Sequence, residues 1–341
     1  MGDHASVRGF GASDGEASLK SPPTLSIVIP TYRGETTIGP LVRALDTLEI
    51  DGGFEIVLVN DGSPDGSQRV CQALLETIRT PVTLVRLSRN FGEHNAVMAG
   101  LRHARGAWII TMDDDFQNPP HEVPRLLSDT QVSGAQVVYA RYASKRHAAW
   151  RNLGSAFVNA IAGLLLDKPK GVYLSTFRCM SAFVVRNIVA YAGPFPHVDG
   201  LILQVTQDIG SVDVLHVERT SGKSSYTLSR LLRLTLTILA NFSIKPLRLS
   251  TLIGCSLSMM GMLGAVFAAV EALISGPPPG WASLMVVLLL VSGVQLIILG
   301  IVGEYLGRVL LTANGKPQNV VMSVELSAAA ARELSRPRKI D

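Results

Sequence analysis

Along the first third of the chain, short apolar runs alternate with longer stretches whose apolar positions recur every three to four residues. The runs occupy residues 25–30, 54–60, 82–87 and 107–112, and the helix-spaced stretches occupy 36–49, 65–79 and 93–105. A further apolar run at 135–140 reads as a fifth strand. Strand–helix–strand alternation of this kind predicts an α/β fold, a mostly parallel sheet covered by helices. Such sheets bind ligands outside the carboxyl ends of their strands. That rule singles out Thr31-Tyr32-Arg33, Asp61-Gly62-Ser63, Ser88-Arg89-Asn90 and Asp113-Asp114-Asp115. No GxGxxG follows the first run and there is no Walker lysine, which argues against dinucleotide and P-loop sites.

The pattern changes in the last third. From Leu249 to Gly303 the only charged residue is Glu271. The 22 uncharged residues 249–270 are long enough to cross ~30 Å of hydrocarbon at about 1.5 Å per residue. A second span is expected at 281–303, with Gly276-Pro277-Pro278-Pro279-Gly280 as the turn between them. Arg230, Arg233, Lys245 and Arg248 precede the first span, Arg308 and Lys316 follow the second, and the turn carries no basic residue. By the positive-inside rule the soluble part and both termini face the cytoplasm. From Arg219 to Arg248 there are six Lys/Arg and no acidic residue, with leucines interspersed between Leu228 and Leu239. This reads as an interfacial helix on anionic headgroups, with an ordinary amphipathic core helix as the alternative. The expected division is a tail at 1–22, a catalytic domain at 23–222 and a juxtamembrane amphipathic segment at 223–248. Two transmembrane helices follow at 249–310 (about 249–274 and 281–303), then a cytoplasmic C-terminal tail at 311–341.

Composition agrees with this division. The 341 residues suggest roughly two structural units. Charged residues are 17% of the chain, against about 25% in soluble domains, and the deficit is concentrated in the two apolar spans. A net charge of +4 with no nucleic-acid motif does not point to a nucleic-acid partner. Cys71, Cys179 and Cys255 are far apart and form no CxxC pair, so neither a disulfide framework nor a zinc cage is expected. The N-terminus lacks the basic flank and apolar core of a signal peptide. Met1-Gly2 with Ser6 matches a myristoylation pattern too short to carry weight.

The strongest chemical signal is Asp113-Asp114-Asp115-Phe116-Gln117. Carboxylates crowded at a strand end repel one another unless a cation intervenes. Hard oxygen donors suit Mg²⁺ or Mn²⁺ bridging substrate phosphates. If the segment is extended, Asp113 and Asp115 point to one side and Gln117 continues the row; the competing reading is a solvated acidic turn. Arg141 follows the fifth run, and Arg151 and Ser155 share a face if their segment is helical. Guanidinium groups there suit a phosphate, though arginines on a wet helix face fit equally well. His94 beside Glu93 reads more readily as structural than as catalytic.

In chain order, these residues resemble the polyprenyl-phosphate branch of the family-two GT-A glycosyltransferases. That branch includes the dolichyl-phosphate mannose synthases and, closer, the bacterial undecaprenyl-phosphate 4-deoxy-4-formamido-L-arabinose transferases. The stretches carrying the resemblance are Arg89 to His94, Met98-Ala99-Gly100 and Asp113 to Pro120. Further on come Phe177-Arg178-Cys179-Met180-Ser181, Glu218-Arg219 with Gly222, and Gly303-Glu304-Tyr305-Leu306-Gly307-Arg308.

The resemblance implies a GT-A, Rossmann-like catalytic domain in the inner membrane that passes a sugar, with inversion, from a nucleotide sugar to polyprenyl (undecaprenyl) phosphate. UDP is the nucleotide favoured by the closer branch. It assigns Pro30, Tyr32 and Asp61 to the base and ribose, and Asp113, Asp115 and Gln117 to a Mg²⁺ or Mn²⁺ ion and the donor diphosphate. Arg141, Arg151 and Ser155 fall at positions for the acceptor phosphate, and Arg219 at a donor-diphosphate ligand. On this basis Asp115, Arg141 and Arg151 are the expected catalytic residues. It also implies a homo-oligomer, a tetramer among relatives, with Gly254, Gly261 and Gly264 allowing close helix contact. The chain departs from the family pattern at Arg33-Gly34, with Glu35 one residue late, and at Asn60. It also has Ser225 where relatives have lysine, with Lys223 nearest, and no acidic residue in Tyr173-Leu174-Ser175-Thr176. A processive polysaccharide synthase is disfavoured by the absence of Gln-x-x-Arg-Trp and by only two spans. A non-catalytic nucleotide-binding scaffold is disfavoured by the full set of metal and phosphate residues.

Overall fold

The computed structural model describes residues 23–142, 173–214 and 280–335, with isolated helical positions between 252 and 274. The strands are β1 (Leu25–Thr31), β2 (Phe54–Asn60), β3 (Val82–Leu87), β4 (Trp108–Thr111), β5 (Val137–Tyr142), β6 (Arg178–Ser181), β7 (Ile209–Val214) and β8 (Val321–Leu326). They form one sheet in the order β7-β5-β6-β4-β1-β2-β3-β8. Pairings β1–β2, β1–β4, β2–β3 and β5–β7 are parallel, whereas β6 runs antiparallel to both its neighbours and β8 antiparallel to β3.

Helices cover both faces of the sheet. On one side α1 (Ile38–Leu45), α2 (Ser67–Thr77) and α4 (Glu122–Ser133) pack through Leu41, Leu45, Leu74 and Leu126 onto Ile27, Ile56 and Leu84. On the other, α3 (Glu93–Leu101), α5 (Ala182–Val189) and α6 (Val198–Val205) pack through Met98, Val184 and Ile202 onto Val28, Val57 and Tyr139. Central strands closed in from both sides cannot alternate polar with apolar residues. That is why β1 and β2 read as nearly continuous apolar runs, interrupted inside by Ser26 and Glu55, which hydrogen-bond to each other.

The first four strands fall where the apolar runs predict them. The fifth sits two residues later than 135–140. Strands β6, β7 and β8 carry too little local signal to be read from the chain. β8 lies inside the segment expected to be a C-terminal tail: Thr83 pairs with Leu326 and Arg86 with Ser323. A six-residue strand at a sheet edge has no periodicity of its own that marks it; the open edge of β3 selects it. It is followed by α8 (Ala328–Leu334), whose Ser327 hydroxyl caps the helix by accepting the Ala330 amide and also accepts the Val82 amide at 3.0 Å.

One helix among the described residues is long and apolar enough to cross a membrane. α7 (Trp281–Ala313) spans 33 residues, about 50 Å at 1.5 Å per residue. It starts at the expected residue but runs ten residues past Gly303, and the qualifying stretch is Val291–Ala313. The amphipathic segment 223–248 and tail 1–22 lie outside the described residues, as does the first expected span apart from the isolated helical positions.

Candidate active site

The carboxyl ends of β1, β2 and β4 lie side by side, since Thr31 pairs with Asn60 and Val28 with Thr111. The three aspartates after β4 do not form one row. Asp113 Oδ2 accepts from the Thr176 hydroxyl at 2.6 Å, and Asp114 Oδ2 from the Thr31 hydroxyl at 2.5 Å. Asp115 Oδ1 accepts the Gln117 amide at 3.1 Å, and Phe116 between them has φ +60°. The chain therefore turns here instead of continuing extended, correcting the expected alternation that placed Gln117 in line with Asp113 and Asp115. A non-glycine residue in the left-handed region is held there only by its surroundings, a condition that concentrates at functional sites.

Glu93 is the first residue of α3. The protein closing round it, then Asp113, Asp199 and Asp115, push its carboxyl up to about 7, with Arg178 pulling the other way. So much negative potential in one place fits a divalent cation. Mg²⁺ and Mn²⁺ take one or two protein carboxylates and complete their shell with phosphate oxygens and water. Among the described residues no three His, Cys, Asp or Glu side chains gather into a self-sufficient cage, so such a cation would need the donor's diphosphate.

A buried polar network stands behind these carboxylates. Arg178, on β6 in register with Thr111, pairs with Asp199 Oδ1, which also accepts the Tyr139 hydroxyl at 2.9 Å. Burial alone would raise the Asp199 carboxyl, but Arg178 first, then His197, His94 and Tyr139, hold it below its usual range. His197 Nδ1 accepts the Gly200 amide at 3.0 Å and caps α6, and its ring lies 4.6 Å from that of His94. His94 is pushed down to about 3, chiefly by desolvation and then by His197, so it is neutral and structural at physiological pH. Below its ordinary pKa of about 6.5 the unfolded chain takes up a proton that the folded chain refuses. His94 therefore lends full stability above about pH 6.5, lost progressively as the pH falls toward 3. In urea titrations the midpoint is expected to drop from pH 7 to pH 5 and to drop less in His94→Gln; equal drops would remove His94 from the account.

The β2 side of the cleft is built by Asp61. Its oxygens accept the amides of Phe91 at 2.7 Å and Gly92 at 2.9 Å, while burial pushes its carboxyl upward against those bonds. In this structure Asp61 fixes the loop that enters α3. Gly62 follows at φ +61°, and a Cβ there would stand 2.3 Å from the Arg89 carbonyl carbon. Gly62→Ala is expected to cost upward of ~2 kcal/mol, from the left-handed strain and the backbone clash together. A thermal unfolding curve superimposable on wild type would remove that constraint.

The remaining expected site residues are distributed as follows. Pro30 is the last residue but one of β1, and Tyr32 is exposed just beyond the strand with the Arg33 guanidinium 5.5 Å from its ring centre. Glu35, one residue late against the family pattern, accepts the Gly66 amide at 3.1 Å and so pins the loop after β2. Asn60 spans the same loop, donating to Gln68 and accepting the Ser63 amide. Arg141 lies at the end of β5, half exposed and paired with Asp213 at 2.5 and 2.9 Å. Arg151, Ser155 and Arg219 lie outside the described residues. Thr176, Asp199 and His197 were not legible in the sequence. Arg178, set between Phe177 and Cys179-Met180, was the available clue to the buried network.

Residues 26–189 match a family model described as glycosyl transferase family 2, and residues 245–309 one described as the GtrB C-terminal hairpin. The undecaprenyl-phosphate 4-deoxy-4-formamido-L-arabinose transferase of Pseudomonas aeruginosa (strain LESB58) is 35% identical over 318 residues, covering 90% of this chain and 92% of the relative. The transferase of the same name from Photorhabdus laumondii is 30% identical over 312 residues, 90% and 96% of the two chains. Among solved structures, glucosyl-3-phosphoglycerate synthase from Mycobacterium tuberculosis with Mn²⁺, UDP and phosphoglyceric acid gives a TM-score of 0.49 at 20% identity, covering 65% of this chain and 78% of that one. With two aligned relatives over nine-tenths of its length and a family model across six of its eight strands, this chain belongs to glycosyl transferase family 2 and is a glycosyltransferase.

Proposed function

We propose that this glycosyltransferase moves a sugar from a UDP-linked donor to undecaprenyl phosphate at the cytoplasmic face of the inner membrane, with inversion. The observation that carries the reading is the alignment with undecaprenyl-phosphate transferases, which extends through the catalytic sheet and the apolar helix alike. On this reading the hairpin at 245–309 crosses the membrane twice, with 281–303 as its second span. The remaining ten residues of α7 then project toward the catalytic domain. Light scattering in detergent would read the tetramer that the family resemblance implies.

Asp113 and Asp115 hold Mg²⁺ or Mn²⁺ against the donor diphosphate, with Gln117 beside them. The cation, when bound, neutralises the charge that builds on the departing nucleotide. Pro30, Tyr32 and the loop fixed by Asp61 receive the base and ribose, and Arg219 a diphosphate oxygen. Arg141, Arg151 and Ser155 take the acceptor phosphate. That phosphate is already anionic near neutral pH, so its oxygen attacks without a strong general base. The side chains then act mainly by holding two anions in line, which accounts for much of a bimolecular barrier.

Arg141 binds an acceptor only by leaving Asp213. An exposed ion pair is worth about 0–1 kcal/mol, so exchanging it for a phosphate costs little. Arg141→Ala is expected to raise the acceptor KM about tenfold, as for loss of one charge-assisted contact, with the donor KM unchanged. A raised donor KM instead would move Arg141 to the nucleotide side. The proposal as a whole is tested by detergent-purified protein, undecaprenyl phosphate, Mg²⁺ or Mn²⁺ and a panel of nucleotide sugars. One EDTA-sensitive lipid-linked product is expected. Failure across the panel by folded protein that binds UDP would favour a scaffold.

A further inference from the structure

The cytoplasmic end of α7 does not hang free of the catalytic domain. The helix stops in a paired-carbonyl turn, with Gly315 at φ +66°, its amide on the Thr312 carbonyl and the Lys316 amide on the Leu311 carbonyl at 3.1 Å. This is the closure that a left-handed glycine makes possible, and it turns the chain back toward the sheet. The Phe195 ring then lies within cation–π reach of two cations, the Arg308 guanidinium at 5.5 Å and the Lys316 ammonium at 5.0 Å. Two residues further on, buried Gln318 donates to the carbonyls of Tyr191 and Gly193 at 3.3 and 3.0 Å and accepts from Arg102 at 2.5 Å. Asn319 donates to the Asn95 carbonyl at 3.1 Å. Val320 accepts the Ser88 amide, and β8 continues from there along β3.

Both places that this turn grips lead into the active site. The 191–197 loop ends at His197, which caps α6 and stacks against His94; α6 carries Asp199, the partner of Arg178. Asn95 and Arg102 belong to or cap α3, whose first residue is Glu93 beside Asp113. Resting on the substrate reading above, we propose that Phe195 and Gln318 form a clasp joining the end of the membrane helix to the catalytic domain. The clasp positions the donor site against an acceptor phosphate whose height is fixed by the bilayer. Neither residue touches the reacting atoms; they are positioning residues. A donor site set by a hinged helix would sample many heights and angles relative to a headgroup that cannot follow it.

The test compares two acceptors. Full-length Phe195→Leu keeps an apolar side chain but removes the ring face, and Phe195→Tyr restores it. Transfer from the donor found in the panel assay is measured to undecaprenyl phosphate in nanodiscs and to farnesyl phosphate in detergent, which approaches from solution. Misplacement of reacting groups by about 1 Å costs up to ~100-fold. Phe195→Leu is accordingly expected to lose about tenfold or more in kcat/KM for the embedded lipid and less than about twofold for farnesyl phosphate, with Phe195→Tyr near wild type. Equal loss for both acceptors, or loss for neither, overturns the positioning role. Hydrogen exchange in nanodiscs reads the contact without any turnover. Faster exchange at 191–200 and 318–326 in Phe195→Leu supports the clasp, and unchanged exchange overturns it. Wild-type protein that transfers to neither acceptor overturns the substrate reading and the positioning role with it, while exchange still decides whether the clasp exists.

Discussion

Asp115→Ala is expected to reduce sugar transfer at least ~1,000-fold, because a cation at the leaving diphosphate is worth several kcal/mol in the transition state. Fold and membrane insertion should survive. The Asp115 carboxylate accepts the Gln117 amide at 3.1 Å, a bond within its own turn. Asp114→Asn is the informative contrast. Its carboxylate accepts from Thr31, 83 residues away, and joins the ends of β4 and β1. An amide oxygen can still accept that bond, so a far smaller loss of turnover is expected. Metal-dependent UDP binding by calorimetry should vanish in Asp115→Ala and persist in Asp114→Asn. Purified Asp115→Ala that retained turnover and bound UDP with its metal would remove the metal-holding role of this residue. Equal losses in the two variants would mean that the turn as a whole, and not one carboxylate, is what matters.

The second large effect is on stability. Asp199→Ala leaves the buried Arg178 guanidinium without its counterion and the Tyr139 hydroxyl without its acceptor. Removing one partner of a buried pair costs ~3–5 kcal/mol. For a domain of this size that corresponds to a Tm lower by roughly 6–20 °C. Replacing both charges, Arg178→Met with Asp199→Leu, is expected to recover a good part of the loss, since an apolar pair of similar volume avoids the desolvation cost. Tyr139 keeps that recovery incomplete. A single Asp199→Ala variant within about 1 kcal/mol of wild type would falsify the network as a structural element. The activity of the double variant is informative in its own right. With the scaffold intact but the charges gone, it isolates what Arg178 and Asp199 contribute to the potential felt by Glu93 and Asp113.

How much of this was legible in advance depended on how local each cause was. The runs at 54–60 and 82–87 coincide with β2 and β3 because a strand covered on both faces is mostly apolar, and that is written in consecutive residues. Asp113 and Asp115 were legible for the same reason: carboxylates directly after a buried strand stand at the ligand-binding end of any such sheet. Their arrangement was not. Expecting an extended row assumed that the strand geometry continued, whereas Thr176, 63 residues away, and Thr31, 83 residues away, draw Asp113 and Asp114 to different partners. Asp61 was likewise singled out by its position at a strand end, while its nucleotide role came from the family resemblance. Its two bonds to the Phe91 and Gly92 amides belong to a loop thirty residues distant.

The sequence by itself determined the α/β class, the first four strands, the acidic centre and the apolar helix beginning at Trp281. Each follows from burial or charge along a contiguous stretch, where neighbours in the chain are also neighbours in the physics. Tertiary structure alone decided three other things. It turned part of the supposed C-terminal tail into β8, placed Arg178 against Asp199, and set Phe195 beside Arg308 and Lys316. In each case the residue's free energy is set by a partner far along the chain: an open sheet edge, a buried counterion, a ring beneath a cation. Such a partner leaves no periodicity in the sequence from which it could be read.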